Sequence, residues 1–228
     1  DTRSNKVNLG GGVYYDDNGK IPLLAAVKAA EKVRLEAMPP RGYQPIEGLA
    51  AYNQSVQKLL FGAASPLLAE GRVVTAETLG GTGALKVGAD YLKRLLPNAT
   101  VYISDPSWEN HRALFESAGF PVDTYPYYDP AGHGVDFRAM QARLATLPAG
   151  AIVVLHACCH NPTGADLAES QWREVIDTVR TRNLVAFIDM AYQGFADGIE
   201  ADAVAARLFA DSGLSFLVSS SFSKSFSL

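Results

Sequence analysis

The chain has 228 residues, of which 48% are hydrophobic and 19% charged, and its formal net charge is −4. This composition suits one large domain, or one and a half smaller ones, with a sizeable core. Because no basic block stands out, nucleic acid and anionic membranes are not expected as partners. No apolar run reaches the ~18 residues of a membrane-spanning helix, and no signal peptide opens the chain.

The two cysteines, Cys158 and Cys159, are neighbours in sequence. Adjacent cysteines seldom bridge each other, so we interpret them as small apolar residues rather than as a metal or redox site. A reducing cytoplasm is therefore the expected location. The first residues lack an initiator Met, so we expect that upstream residues were removed or not included.

The first 70 residues predict helices rather than strands. Residues 21–37 form an apolar-periodic stretch with Pro22 near its start, and residues 47–62 form another that Gly62 closes. The stretch between them, PPRGYQPI, predicts a loop. We therefore expect an N-terminal helical arm before the main domain.

From about residue 72 the pattern alternates between strands and helices. Apolar, β-branched runs predict buried strands at 72–79, 100–104, 151–156, 184–189 and 214–220, with a further short strand at 121–128. Amphipathic stretches predict helices at 83–96, 109–119, 136–147, 170–182 and 202–213. This order predicts an α/β fold, a three-layer sandwich with a mostly parallel sheet and helices on both faces.

Unusual residues follow five of the predicted strands. In open α/β sheets ligands bind beyond the carboxyl ends of the strands, so these segments are expected to meet at one rim. In chain order they are GGTGALK, DPSWENH, ACCHNPTG, DMAYQGF and SFSKSF. Their convergence is stronger evidence for a site than any one of them alone.

GGTGALK could serve two purposes. Its glycines can present backbone N–H groups to an anion at a helix N-terminus, with Thr82 adding a hydroxyl. Its spacing matches neither the P-loop nor the dinucleotide-binding pattern, so a plain Gly-rich turn is the favoured reading from spacing alone.

Several residues on this rim have both an ordinary and a functional reading. Trp108 is either a hydrophobic anchor or a platform for a planar ligand. Asp189 ends an apolar strand, where it either caps a helix or pairs with a cationic ring nitrogen. For His111, His156 and the nearby His160, packing or support of a neighbour is favoured over metal ligation, because no Cys or carboxylate spacing supports a metal.

Lys224 follows a buried-looking strand and is flanked by Ser and Phe rather than by other charges. A lone Lys is ordinarily a solvated surface charge. A desolvated Lys, by contrast, loses proton affinity and can act as an amine nucleophile. A phosphate cradle, a stacking platform, a buried carboxylate and a lone Lys together describe a pyridoxal phosphate site.

These motifs resemble those of the class I aminotransferases of fold type I, which depend on pyridoxal 5′-phosphate, and within them the aspartate/aromatic amino acid branch. The matching stretches run from residue 7 to the end and are VNLGGGVYYDDNGKIP, TLGGTGALKVGADYLKR, SDPSWENH, HACCHNPTGADL, FIDMAYQGF and SSSFSKSFSL.

The resemblance implies roles for the residues at the cofactor ring. Lys224 would form the Schiff base with the cofactor aldehyde and later move the proton at the substrate α-carbon. Asp189 would pair with the pyridine nitrogen, Tyr192 and Asn161 would bind the phenolic oxygen, and Trp108 would stack on the ring.

The resemblance also implies the surroundings of the ring. Gly81, Thr82 and Ser221 would hold the phosphate, while His111 and His156 would support Asp189. Where some relatives carry a phosphate-binding Ser, this chain has Gly80, so that contact is expected to be lost or replaced by backbone.

Substrate and partner expectations follow from the same resemblance. Gly12, Trp108 and Asn161 would border an amino acid or 2-oxo acid substrate. Tyr43 resembles a tyrosine that reaches the phosphate of a neighbouring subunit, which implies a homodimer with shared active sites.

The family pattern continues beyond this sequence with a phosphate-binding Arg and a substrate-binding Arg. We therefore expect residues 1–45 to be an arm and part of a small domain, and residues 46–228 to be an incomplete cofactor-binding domain. The 228-residue chain is expected to be inactive or nearly so by itself, since a bidentate Arg–carboxylate contact is hard to replace.

The expected activity is ping-pong transfer of an amino group from an aromatic or dicarboxylic L-amino acid to 2-oxoglutarate. Two alternatives remain open from the residues. One is another pyridoxal phosphate reaction, such as a lyase or decarboxylase. The other is a non-catalytic domain, either a nucleotide binder or a fragment that assembles with a partner.

Overall fold

A computed structural model describes residues 5–6 and 12–226 of the chain. The helices in this part are α1 (Ala25–Ala37), α2 (Ala50–Phe61), α3 (Pro66–Ala69), α4 (Gly80–Leu95), α5 (Glu109–Ser117), α6 (Phe137–Leu144), α7 (Glu169–Arg182) and α8 (Val204–Asp211). The strands are β1 (Val101–Asp105), β2 (Val122–Pro126), β3 (Tyr128–Asp129), β4 (Gly134–Val135), β5 (Ile152–His156), β6 (Val185–Met190) and β7 (Phe216–Ser220).

The main sheet has the order β2-β1-β5-β6-β7, and each neighbouring pair is parallel. A parallel sheet needs a crossover between successive strands, and helices α5 to α8 lie in these connections. All five carboxyl ends therefore meet at one edge of the sheet. The predicted α/β class with a mostly parallel sheet is confirmed.

Side chains alternate across the sheet and form two separate cores. On β5, Ile152 and Val154 pack with α4 and α5, while Val153 and Leu155 pack with the helices of the opposite face. This alternation follows from the two-residue period of a strand, and it explains why a strand covered on both faces is apolar throughout. Each large apolar side chain that is fully buried stabilises the fold by roughly 1.5–3 kcal/mol. The result is the predicted three-layer arrangement.

The predicted strand at 72–79 is wrong. Residues 72–78 belong to no strand, and their backbone finds partners outside the sheet. Asn53 and Gln57 of α2 donate side-chain hydrogen bonds to the carbonyls of Thr75 and Val73 at 3.1 and 3.4 Å. Because α2 side chains satisfy these carbonyls, the segment keeps its apolar composition without joining a ladder.

Several helix boundaries also differ from expectation. Helix α1 begins at Ala25, four residues later than predicted, because Leu24 still has an extended backbone. Helix α4 begins at Gly80, three residues earlier than predicted, so the Gly-rich stretch is its first turn rather than a preceding loop. The short helix α3 and the β3–β4 hairpin were not predicted.

The arm before the main domain is highly exposed. Helix α1 has no buried residue, and Tyr43 and Ile46 in the following loop are fully exposed. Tyr14 contacts the ring of Phe195 with centroids 5.8 Å apart, which joins the arm to the loop after β6. Within the described residues, no helix has the length and apolar character needed to cross a membrane.

We predict that Gly88→Ala destabilises the fold, because an added Cβ would lie 2.4 Å from Cζ of Phe187. Overpacking of this kind, less the gain in helix propensity, should lower the free energy of unfolding by about 1–2 kcal/mol. The matched control is Gly83→Ala in the same helix, where the nearest atom is 3.4 Å away. Denaturant unfolding checks both, and a Gly88→Ala protein as stable as the wild type would contradict the prediction.

Candidate active site

A cleft of about 190 Å³ lies at the carboxyl edge of the sheet. It is formed by the N-terminus of α4 and the segments that follow β1, β5, β6 and β7. The residues expected there from the sequence that line it are Gly81, Thr82, Trp108, His156, Asn161, Asp189, Tyr192, Ser221 and Lys224. The strand ends therefore bring together residues up to 143 positions apart in the printed sequence.

The N-terminus of α4 forms one wall and is suited to an anion. No described side chain caps this helix. The N–H groups of Gly80 and Gly83 donate to the carbonyls of Thr78 and Leu79, so the N–H groups of Gly81 and Thr82, two residues that line the cleft, are the ones suited to an anion. Gly80 has φ +63°, a conformation that favours glycine. A Cβ added at Gly81 would come within 3.1 Å of Cβ of Ser221, so a larger residue would force Ser221 to shift by a few tenths of an ångström. Backbone donors, the Thr82 hydroxyl and the Ser221 hydroxyl thus form a cradle that fits a phosphate.

Asp189, the penultimate residue of β6, also lines the cleft, and only 8% of the residue is exposed. Its Oδ2 is 2.8 Å from Nε2 of His111, which is completely buried. A buried carboxylate needs such a partner, and its other oxygen remains available to a cationic group in the cleft. This arrangement fits a protonated ring nitrogen, and it fits the helix-capping reading less well.

A chain of hydrogen bonds continues behind Asp189. Nδ1 of His111 lies 2.9 Å from Oγ of Ser107 and 3.3 Å from Nε2 of His156. Nδ1 of His156 accepts a hydrogen bond from the backbone N–H of Asn161 at 3.2 Å. The expected support of Asp189 is therefore direct for His111 and indirect for His156.

These contacts determine the tautomers of the two rings. The Asn161 N–H can only donate, so Nδ1 of neutral His156 is the acceptor and its Nε2 carries the proton. Burial, reinforced by the neighbouring His160 and His111, lowers the pKa of His156 well below its usual value, which keeps that ring neutral. With the Ser107 hydroxyl or His156 donating to Nδ1 of His111, its Nε2–H donates to Asp189.

Tyr192 and Asn161 both line the cleft, and their side chains interact. Burial, followed by the nearby Asp189 carboxylate, raises the pKa of the Tyr192 hydroxyl, and the Asn161 side chain partly opposes the rise. Tyr192 therefore stays protonated at neutral pH and can donate a hydrogen bond to an oxygen in the cleft. Lys224 lies on the turn after β7, with Nζ 5.1 Å from the centroid of the Tyr192 ring.

Trp108 precedes α5, and its indole ring lines the cleft. The ring meets His111 edge-on, with centroids 5.4 Å apart. Because His111 in turn contacts Asp189, the indole and the carboxylate belong to one packed unit. This position suits a platform for a planar ligand. Trp108 also packs partly on the core, so the structure is compatible with a hydrophobic anchor as well.

Two expected site residues lie elsewhere. Tyr43 is fully exposed and does not line the cleft, and Gly12 is exposed with no atom within 4 Å of an added Cβ. The expectation for Tyr43 concerned a neighbouring subunit, so its exposure leaves that prediction open. Gly12 as a substrate-bordering residue also stays a prediction.

Sequence reasoning missed several residues of the site. Leu79, Leu85, Cys158, Ala191 and Ser223 also line the cleft. Ser107 links His111 and His156, although only its position inside the motif DPSWENH could have pointed to it.

Cys158 and Cys159 are both free thiols, and Sγ of Cys158 lies 3.9 Å from Sδ of Met190, in keeping with an apolar role. Within residues 5–6 and 12–226, no group of three or more His, Cys, Asp or Glu side chains is arranged to hold a metal ion.

His160 lies next to the cleft residue His156, and its ring has two hydrogen-bond partners and two stacking partners. Its ring nitrogens lie 2.9 Å from Oγ of Ser104 and 2.8 Å from Oγ1 of Thr163. The ring stacks between Tyr127 and His156, with centroid distances of 3.9 and 4.1 Å. Burial, with His111 nearby, lowers the pKa of His160 to about 4.

We predict that this histidine makes the fold sensitive to acid. Between pH 6.5, the ordinary His pKa, and pH 4 the unfolded chain binds more protons than the folded one. The stabilising contribution of neutral His160 is thus complete above pH 6.5 and lost as the pH falls towards 4, a change of about 3 kcal/mol. Unfolding free energies of the wild type and His160→Gln should therefore converge by about that amount from pH 7 to pH 4. A difference that stays constant with pH would contradict this.

Comparison with known proteins identifies the family of the chain. The sequence model for "Aminotransferase class I and II" matches residues 4–228. The chain is 68% identical over 228 residues to an aspartate aminotransferase of Pseudomonas aeruginosa, covering all of this chain and 57% of that protein. It is 56% identical over 230 residues to an aromatic-amino-acid aminotransferase of Escherichia coli, covering all of this chain and 58% of that protein.

A solved structure agrees with the sequence relatives. The crystal structure of an aromatic-amino-acid aminotransferase from Burkholderia pseudomallei, covalently bound to pyridoxal phosphate, superposes with a TM-score of 0.97 at 65% identity. The match covers 100% of this chain and 57% of that one. The chain thus spans a little over half the length of the proteins it resembles.

Proposed function

The chain belongs to the class I and II aminotransferase family, and from that premise we propose that the protein is a pyridoxal 5′-phosphate-dependent transaminase. It transfers an amino group from an aromatic or dicarboxylic L-amino acid to 2-oxoglutarate by a ping-pong mechanism. The observation that carries the proposal is one cleft that holds Lys224, Asp189 and an anion cradle at the N-terminus of α4. Because the chain spans a little over half of its relatives' length, the activity is proposed for the whole protein.

The donor set of the cleft fits this cofactor. The α4 N-terminus with Thr82 and Ser221 would hold the phosphate, and Asp189 would hold the ring nitrogen. Tyr192 and Asn161 also line the cleft and would bind the phenolic oxygen, and Trp108 would stack on the ring. When bound, pyridoxal phosphate supplies an aldehyde for the amine and a ring that accepts electron density from the substrate α-carbon.

The residues of the chain would then share the work as follows. Lys224 Nζ would be the amine that holds the cofactor, and it would hold or move the proton at the substrate α-carbon. Asp189 keeps a negative charge beside the ring nitrogen, and the His111 Nε2–H orients that carboxylate. Tyr192 would donate a hydrogen bond from its hydroxyl to the phenolic oxygen, and Asn161 lies close enough to Tyr192 to influence the pKa of that hydroxyl.

The test uses protein expressed from its complete gene. A yellow protein that reacts with L-tyrosine, L-phenylalanine or L-aspartate in the absence of 2-oxoglutarate, releasing the 2-oxo acid and retaining the amino group, supports transamination. Release of carbon dioxide or of a cleaved side chain would instead indicate a decarboxylase or lyase. A profile restricted to aspartate would refute the aromatic part of the proposal, and a colourless protein that ignores added cofactor would refute it altogether.

We further propose a homodimer with shared active sites, located in the cytoplasm, with residues 1–45 as an arm and part of a small domain. Support comes from α1, which has no buried residue, and from Tyr43, which is fully exposed on the loop that follows. The two free thiols suit a reducing compartment. Sedimentation equilibrium of the complete protein tests the assembly, and a monomer that binds cofactor with full affinity would contradict it.

A further inference from the structure

We propose that His160 is a positioning residue of the site, whose ring fixes the orientation of His156 by stacking. His156 in turn accepts the backbone N–H of Asn161 and connects to the His111–Asp189 pair. His160 would thereby help to hold Asn161 and Asp189, two residues proposed to contact the cofactor ring, in their positions. The proposal rests on the proposed function only where it names pyridoxal phosphate as what these groups meet.

The ring of His160 is itself rigidly held. It is 2% exposed, and each ring nitrogen has a hydroxyl partner from a different part of the fold. Ser104 belongs to β1, whereas Thr163 belongs to the loop between β5 and α7 that also carries Asn161. Because a partner binds each of the two ring nitrogens, rotation of the imidazole about its Cβ–Cγ bond would break both hydrogen bonds and is therefore restricted.

Stacking transfers this rigidity to His156. The planes of His160 and His156 differ by 25° with centroids 4.1 Å apart, and on the other side His160 lies over Tyr127 at 14° and 3.9 Å. Tyr127 is fixed by its own hydroxyl, which donates to the carbonyl of Ala165 at 2.7 Å. His156 therefore forms the end of a stack of three rings whose other two members are anchored.

The orientation of His156 matters because only one orientation lets Nδ1 accept the Asn161 N–H while Nε2 faces His111. The stack fixes the plane of the ring, and the Asn161 N–H selects the edge that carries the acceptor Nδ1. If the ring tilted away, that partly buried N–H would lose its partner, and Nε2 of His156 would lose its approach to His111 and Ser107. Loss of the stack should thus appear first as a mixture of His156 tautomers.

The experiment compares two substitutions of similar size, His160→Phe and His160→Leu. Both remove the bonds to Ser104 and Thr163, but only phenylalanine keeps an aromatic ring in the stack. In the cofactor-free protein, ¹H–¹⁵N NMR of the imidazoles should show His156 as the single Nε2–H tautomer in the wild type. The same result is expected for His160→Phe, because packing between Tyr127 and His156 would keep the phenylalanine ring in the stack without the two hydrogen bonds. In His160→Leu the spectrum should show a mixture of tautomers.

A second readout is cofactor affinity, measured by the absorbance of bound pyridoxal phosphate. His160→Leu should raise the dissociation constant roughly tenfold, about the effect of one hydrogen bond, while His160→Phe should stay near the wild type. His133→Ala, on the exposed β3–β4 hairpin, is the control and should change neither readout. If His160→Leu does not fold, His160→Asn, which also lacks the ring, replaces it with the same expected result.

A purely structural role would give a different result. A folded His160→Leu protein with a lower melting temperature, but with a single His156 tautomer and unchanged cofactor affinity, would overturn the proposal. Equal tautomer mixing in the Phe and Leu variants would also overturn it, because stacking would not then be the contact that matters. Should the wild type bind no pyridoxal phosphate, the proposed function fails, whereas the tautomer measurement still decides the role of His160.

Discussion

Lys224→Ala is expected to abolish amino-group transfer, with a fall in kcat of about 10⁴-fold or more, since the substitution removes both the covalent amine and the proton carrier. No described side chain in the cleft offers a second amine, because Lys224 is the one lysine among its lining residues. Steady-state rates of the complete protein measure the loss. Mass spectrometry after borohydride treatment should show cofactor attached to the wild type and none attached to the variant.

Lys58→Ala is the matched control for that experiment. Lys58 lies on α2, is exposed and does not line the cleft, so alanine should leave the rate and the borohydride product unchanged. Covalent cofactor on the Lys224→Ala protein, or a rate within tenfold of the wild type, would show that another amine does the chemistry.

Asp189→Asn is expected to lower kcat/KM by roughly 10²–10⁴-fold, because breaking one side of a buried charge pair costs about 3–5 kcal/mol. Asparagine keeps the shape of the side chain but cannot hold a negative charge beside a cationic ring nitrogen. It also turns the partner of His111 Nε2 from a carboxylate into a neutral amide. Steady-state kinetics and cofactor affinity both measure the effect.

Asp177→Asn provides the control for charge removal. Asp177 pairs with Arg180 on α7 at 2.8 Å, and both side chains are largely exposed. Exposed pairs contribute only about 0–1 kcal/mol, so kinetics should not change. If Asp189→Asn retained wild-type kcat/KM while folding normally, Asp189 would not be the electrostatic partner of the ring, and the helix-capping reading would have to be reconsidered.

Much of the fold could be predicted from local patterns. The run LVAFI before Asp189 is apolar at every position, which is typical of a strand that is buried on both faces, and β6 is such a strand. Residues 72–79 have a similar composition, yet they form no strand, because joining a ladder depends on neighbours in space. The composition of a segment predicts whether its side chains are buried, but it does not predict which hydrogen-bond partners its backbone will have.

The site shows the same division. The sequence pointed to Asp189 and Lys224 because each is a charged residue next to an apolar strand. Burying a charge is unfavourable unless it is paired, and the neighbouring residues in the sequence are enough to predict that burial. Ser107 and His160 carry no such signal, since serine and histidine are common in loops. Their importance comes from hydrogen bonds to residues up to 56 positions away, such as the contact between Ser104 and His160.

The sequence by itself therefore determined the class of fold, the rim at which the site lies and the residues expected to bind the cofactor, since periodicity and unusual charges are local properties. Only the tertiary structure decided the tautomers of His111 and His156, the stacking of His160 and the close approach of Gly81 to Ser221. These depend on distances between strands that are neighbours in the sheet but far apart in the chain, and a linear pattern does not contain such distances.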